Sequence, residues 1–119
     1  MRQRLNQLVL DGQKRATAGL LSDYGDEPLE NVGERLVLVD DDTEPIGLVE
    51  VVRTGLTTFA EVPWEFAASE AEGDHTIEEW RAGHRRFWES EGIAVTNDLE
   101  VYLIWFTLIE RQPRMPSDL

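Results

Sequence analysis

The stretch from Glu100 to Glu110, "EVYLIWFTLIE", restricts the fold more than any other part of the chain. It is almost continuously apolar and rich in β-branched and aromatic residues, the pattern of a strand covered on both faces. The rest of the chain must therefore supply partners for this strand and two layers to cover it. "ERLVLVD" from Glu34 to Asp40 and "EPIGLVEVV" from Glu44 to Val52 are strand-like and are joined by the acidic turn "DDTE", which predicts a hairpin.

The covering layers read as helical. In "TIEEWRAGHRRFWES", Thr76 followed by Glu79 fits a capping box, and Ile77, Trp80, His84, Phe87 and Trp88 form one stripe expected to face the core. Near the start, Leu5, Leu8 and Val9 fall at helical spacing between Arg2 and Leu10, and Gly12 stands where a left-handed cap would end the helix. Ala16 to Leu21 reads as a short extended segment. "SDYGDEPLENVGE" then reads as a loop, long enough for a functional role to be expected of it. These elements predict an α+β domain, with a small closed or partly closed β-barrel flanked by helices.

At 119 residues the chain is expected to form one domain over residues 1–111, with 112–119 as a loose C-terminal tail. No apolar run approaches the roughly 20 residues that span a bilayer, so no membrane partner is expected. The N-terminus is too polar to read as a signal peptide, and the chain lacks cysteine, so a cytoplasmic location is expected. The net charge of −13 leaves no broad cationic surface for long nucleic acid, and any such contact must be local.

Chemistry concentrates in "DGQKRAT", Asp11 to Thr17, because Lys14 is the only lysine beside ten arginines. A desolvated lysine can give up its proton and act as a base, whereas a guanidinium stays charged. Chance in an arginine-rich composition is the plainer explanation. If Lys14 and Thr17 act together, the chain must bend between them, and Gly12 permits a bend. Downstream, Glu70, Glu72 and Asp74 alternate in "SEAEGDHT". Their spacing is not that of an EF-hand loop, and no metal or cofactor is expected. Acids before a helix also suit its macrodipole, or one glutamate is the partner of Lys14. His84 on the apolar stripe reads first as a packed histidine, and Arg81 at the stripe's edge is the candidate for an anion contact.

Gly12, Lys14 and Thr17 match the G-x-K-x-x-T signature of the ASCH domain, a PUA-related β-barrel module. An acidic segment leading into W-R-x-x-H-x-x-F is found in one branch of that family, and here Glu70, Glu72 and Asp74 precede Trp80, Arg81, His84 and Phe87. Ala71 stands where that pattern has glycine. The chain thus resembles ASCH domains from about residue 5 to residue 110. The resemblance implies a cleft for RNA or a modified nucleoside, floored by the lysine motif. Some small family members hydrolyse N(4)-acetylcytidine with a lysine, a threonine and a glutamate. Carried to this chain, these are Lys14, Thr17 and Glu72, with Glu70 as the near alternative to Glu72. Gly12, Glu70, Trp80, Arg81 and His84 would contact substrate. Other members resemble ribonucleases acting on single-stranded RNA, and a non-catalytic RNA-binding module is the third possibility.

Overall fold

The computed structural model describes residues 2–111, with side chains from residue 4 onward. The predicted tail, 112–119, lies outside the described residues. In chain order the elements are α1 (Arg2–Leu10), β1 (Ala16–Leu20), β2 (Arg35–Val39), β3 (Pro45–Thr58), α2 (Trp64–Glu70), α3 (Ile77–Ser90) and β4 (Glu100–Arg111). The four strands form one antiparallel sheet in the order β1-β4-β3-β2.

β4 is the central strand the sequence predicts, paired on both sides. Its side chains alternate between two cores: Val101, Leu103 and Trp105 pack with α2 and α3, while Tyr102, Ile104 and Phe106 pack with Val9 of α1 and the β2–β3 hairpin. Burial holds as far as Phe106, beyond which the strand emerges toward solvent. The barrel is a half-barrel, with β1 and β2 as its two edges. Two irregularities bend β3 against β4, one between Leu48 and Val49 and one between Val51 and Arg53, the second leaving Val52 as the extra residue of a bulge.

The hairpin pairs within its expected bounds, but β3 is longer than expected: it continues through Thr54 and Gly55 to Thr58, paired with β4 rather than with β2. α2 is a helix that no sequence reading above anticipates. It starts after Pro63 and buries Phe66, Ala67 and Glu70 on one face. Its C-cap, Ala71, has φ 54° and ψ 36°, the left-handed conformation that glycine adopts without strain. The ASCH pattern's glycine at this position therefore has a conformational basis.

α3 begins as predicted, with Thr76 accepting from the Glu79 amide. Its stripe is narrower than expected. Trp80 and Trp88 are buried and Ile77 packs against their cluster, whereas Phe87, which helical spacing places close to the Trp80 side of the stripe, is 54% exposed and borders the cleft described next. The long loop after β1 opens with a 3₁₀ turn over Leu21–Tyr24, and hydrogen bonds from Tyr24 Oη to Glu30 and from Tyr102 Oη to the Glu30 carbonyl hold it to the sheet. It covers the α1 side of the sheet and contributes no residue to the cleft described next.

Candidate functional site

α1 ends in a Schellman cap: the Gly12 amide donates to the Val9 carbonyl at 3.0 Å and the Gln13 amide to Leu8 at 2.9 Å, with Gly12 at φ 77°. The cap turns the chain so that Lys14 points inward beside the start of β1. Arg15 then anchors the junction on both sides, its carbonyl accepting from Phe106 of β4 and its amide donating to the Ser69 carbonyl of α2. Strand alternation follows from the Arg15–Phe106 pair: Thr17 faces β4 with its backbone, while Ala16 and Ala18 turn theirs to the outer edge.

Lys14 is only 6% exposed. Its Nζ donates to the Ala16 carbonyl at 2.8 Å and to Glu72 Oε2 at 2.6 Å, and it lies 3.7 Å from Glu70 Oε2. Glu70 closes the last turn of α2 and Glu72 follows the left-handed residue Ala71, a reversal that lets two carboxylates two positions apart converge on one ammonium. Arg4 of α1 fastens this loop by donating to the Glu72 carbonyl.

Glu70 is 2% exposed and is held on all sides. The Trp80 indole N–H donates to its Oε1, and His84 Nε2 lies 3.5 Å from the same oxygen. Burial pushes the Glu70 carboxyl above the usual carboxylate range. The charges of Lys14 and His84 and the Trp80 hydrogen bond pull the other way, and Glu72 adds a further upward push. The His84 ring stacks on Trp80 with centroids 4.0 Å apart, and its Nδ1 sits 3.0 Å from the Trp80 carbonyl. A carbonyl only accepts, so Nδ1 carries the hydrogen.

These groups border a cleft of about 370 Å³, within the roughly 300–1,000 Å³ of small-molecule sites. Its walls are Arg4 and Leu5 of α1, Thr17 and Ala18 of β1, Glu70, Glu72 and Asp74, and Gly83, His84, Phe87 and Trp88 of α3. Lys14 is not in the wall and reaches the cleft through its two glutamates. No hydrogen bond joins it to Thr17. Among the described residues no group of three or more His, Asp or Glu is placed to hold a metal ion.

The structure thus gathers Lys14, Glu70, Glu72, Trp80 and His84 into one cluster and sets Thr17 in the wall beside it. Gly12 acts behind the site, as the cap that aims Lys14. Trp80 is fully buried and reaches the cleft only through Glu70 and His84. Arg81 lies elsewhere, donating to the Ala60 and Val62 carbonyls beside a separate open hollow that it shares with Arg85 and Arg86. Arg4, Leu5 and Phe87 also line the cleft, beyond the site residues the sequence indicates. Phe87 carried a signal, since an aromatic at the margin of an amphipathic stripe can border a cleft; nothing local marks Arg4.

A half-barrel with a lysine–carboxylate cluster beside the cleft at its edge strand defines a small α+β domain of the ASCH class. The chain belongs to the ASCH-domain family, whose model matches residues 1–110. An ASCH domain from Lactobacillus crispatus is similar in structure, with a TM-score of 0.80 and 30% identity over 92% of this chain and 72% of that one. A protein from Enterococcus faecalis, described by the family model DUF984, shares the fold with a TM-score of 0.82 at 24% identity, covering 92% of this chain and 69% of its own. No significant match is found among curated proteins. No helix among the described residues is long and apolar enough to cross a membrane.

Proposed function

We propose that the cleft binds a modified nucleobase or nucleoside and hydrolyses an N-acyl amide on it, N(4)-acetylcytidine being the model substrate. The observation that carries this reading is the pairing of Lys14 with Glu72 at 2.6 Å, at the margin of a cleft whose wall includes Thr17. Thr17 Oγ1 is the nucleophile, and the Lys14–Glu72 pair takes up its proton. A proton passed across the Nζ–Oε2 contact leaves a neutral amine, a form no arginine would provide.

The lining favours a small, uncharged substrate. Three carboxyl groups, Glu70, Glu72 and Asp74, face the cleft against the single guanidinium of Arg4. A phosphate there would meet net repulsion, which counts against a ribonuclease at this site. A non-catalytic nucleobase pocket is the second reading, favoured by the absence of a hydrogen bond between Lys14 and Thr17.

Incubation with N-acylated cytidines and with short single-stranded RNA, followed by chromatography of the products, tests the assignment. Cytidine and the free acid should appear with wild type, and Thr17→Val or Lys14→Ala should lower the rate by about 100-fold or more. Cleavage of RNA with no deacylation would instead support the ribonuclease, and nucleoside binding without turnover would support the pocket.

A further inference from the structure

Glu70 and His84 take no part in the step above, yet both border the cleft and each is held by independent contacts. The stack on Trp80 fixes the plane of the His84 ring, and the Nδ1–H bond to the Trp80 carbonyl, which a ring flip would break, fixes which edge faces outward. Nε2 is therefore fixed toward Glu70 Oε1, 3.5 Å away. With Nδ1–H already committed, a neutral ring presents a lone pair at Nε2, and a lone pair facing a carboxylate is repulsive. The contact is favourable only when one proton lies between them, as an imidazolium beside a carboxylate or an imidazole beside a carboxylic acid.

We infer that Glu70 and His84 together store one proton at the cleft wall, and that His84 Nε2 delivers it to the leaving amine of the substrate. The delivery step rests on the amidohydrolase reading; the stored proton does not. The charged groups around the pair are Lys14 behind Glu70, Glu72 and Asp74 from the loop, and Arg4 from α1. Lys14 and Glu72 offset one another, which leaves the Glu70–His84 pair free to carry a single proton without net charge.

The chemistry balances. As Thr17 Oγ1 bonds to the acyl carbon, its proton goes to the Lys14–Glu72 pair. The C–N bond breaks with its electron pair on nitrogen, which takes the proton from His84 Nε2. In the second half, water adds to the acyl-threonine and gives a proton back to Nε2, while the Lys14–Glu72 pair reprotonates Thr17 Oγ1 and the carboxylic acid departs.

The test has two arms. In the substrate-free protein, ¹⁵N spectra of His84 should show Nδ1 protonated throughout the pH range, with only Nε2 gaining and losing a proton. The ¹³C carboxyl signal of Glu70 should titrate at higher pH in His84→Gln than in wild type, because the partner cation is gone. A neutral His84 protonated on Nε2, or a Glu70 titration that His84→Gln leaves in place, overturns the shared proton. In turnover, His84→Gln should lower kcat on N(4)-acetylcytidine by about 100-fold with KM little changed. With 4-nitrophenyl acetate, whose phenolate departs without a proton, the burst of phenolate that reports acylation should keep nearly its wild-type rate in His84→Gln while steady-state turnover falls with deacylation, and Thr17→Val should lose the burst and the amidase activity alike. A burst rate that falls as far in His84→Gln as the single-turnover rate on N(4)-acetylcytidine overturns the delivery step. Wild type inert toward both substrates overturns the amidohydrolase reading and the delivery step with it, and leaves the carboxyl titration to decide the stored proton.

Discussion

Replacing Lys14 with methionine keeps an unbranched side chain of similar length and removes the charge that three acceptors converge on. The Ala16 carbonyl loses a 2.8 Å hydrogen bond, Glu72 loses one of 2.6 Å, and Glu70, 2% exposed, loses its nearest cation at 3.7 Å. Breaking a buried pair by removing one partner costs about 3–5 kcal/mol, because the remaining charge stays buried without compensation. For a chain of this size that lowers Tm by roughly 10–20 °C. The deficit should shrink as pH falls, since the stranded carboxylates of the variant then take up protons and stop being charges. Urea unfolding followed by tryptophan fluorescence at pH 7.5 and at pH 5, with m unchanged between the proteins, reads both quantities. A loss below about 1 kcal/mol at pH 7.5, or one that does not vary with pH, would refute the account of Lys14 as the counter-charge of two carboxylates.

Glu70→Gln should alter how stability depends on pH. A carboxyl raised by burial contributes stability that is fully present below its unfolded value, near 4.5, and lost as pH climbs through the folded value. Wild type should therefore lose stability over that window relative to Glu70→Gln, by up to about 1.4 kcal/mol per pH unit, and parallel urea-derived curves would reject the assignment. Ala71→Gly should stabilise the fold by about 0.5–1 kcal/mol, since it relieves a side chain held at φ 54°; a lower Tm in the variant would contradict it. Gly12→Ala should cost about 1–2 kcal/mol from backbone strain alone, since a Cβ there meets no neighbouring atom, and a neutral result in urea unfolding would count against the αL cap.

Features written into local pattern were legible in the sequence. The apolar run of β4, the Thr76–Glu79 cap of α3 and the Gly12 cap of α1 each depend on residues within one or two turns of each other, and all three are present. α2 escaped because its buried face includes Glu70: a carboxylate inside an apolar stripe reads as a solvent position unless its indole, imidazole and ammonium partners are known. The far half of β3 is not legible for a related reason, as Gly55 interrupts its strand pattern and the segment is held by β4 across the sheet. The same non-locality governs the site. Lys14 and Glu72 are named by motif, but their contact spans 58 positions and depends on the left-handed turn at Ala71. Arg81 reads as an anion ligand by type, and its Nη2 donates to the Ala60 and Val62 carbonyls away from the Lys14 cluster.

β1 is an edge strand, and an unpaired edge invites another chain to add to the sheet. Here the Ala16 carbonyl, the first acceptor along that edge, is occupied by Lys14 Nζ, and the neighbouring Arg15 amide is occupied by Ser69. The lysine of the candidate site is thus also a plug in the hydrogen-bonding border of the sheet. A variant without it leaves the buried Ala16 carbonyl unpaired and loosens the cover over the edge that continues to Ala18, in a strand of small side chains that do little to keep a second strand away. Its failure should show first as self-association that rises with protein concentration, before any loss of secondary structure.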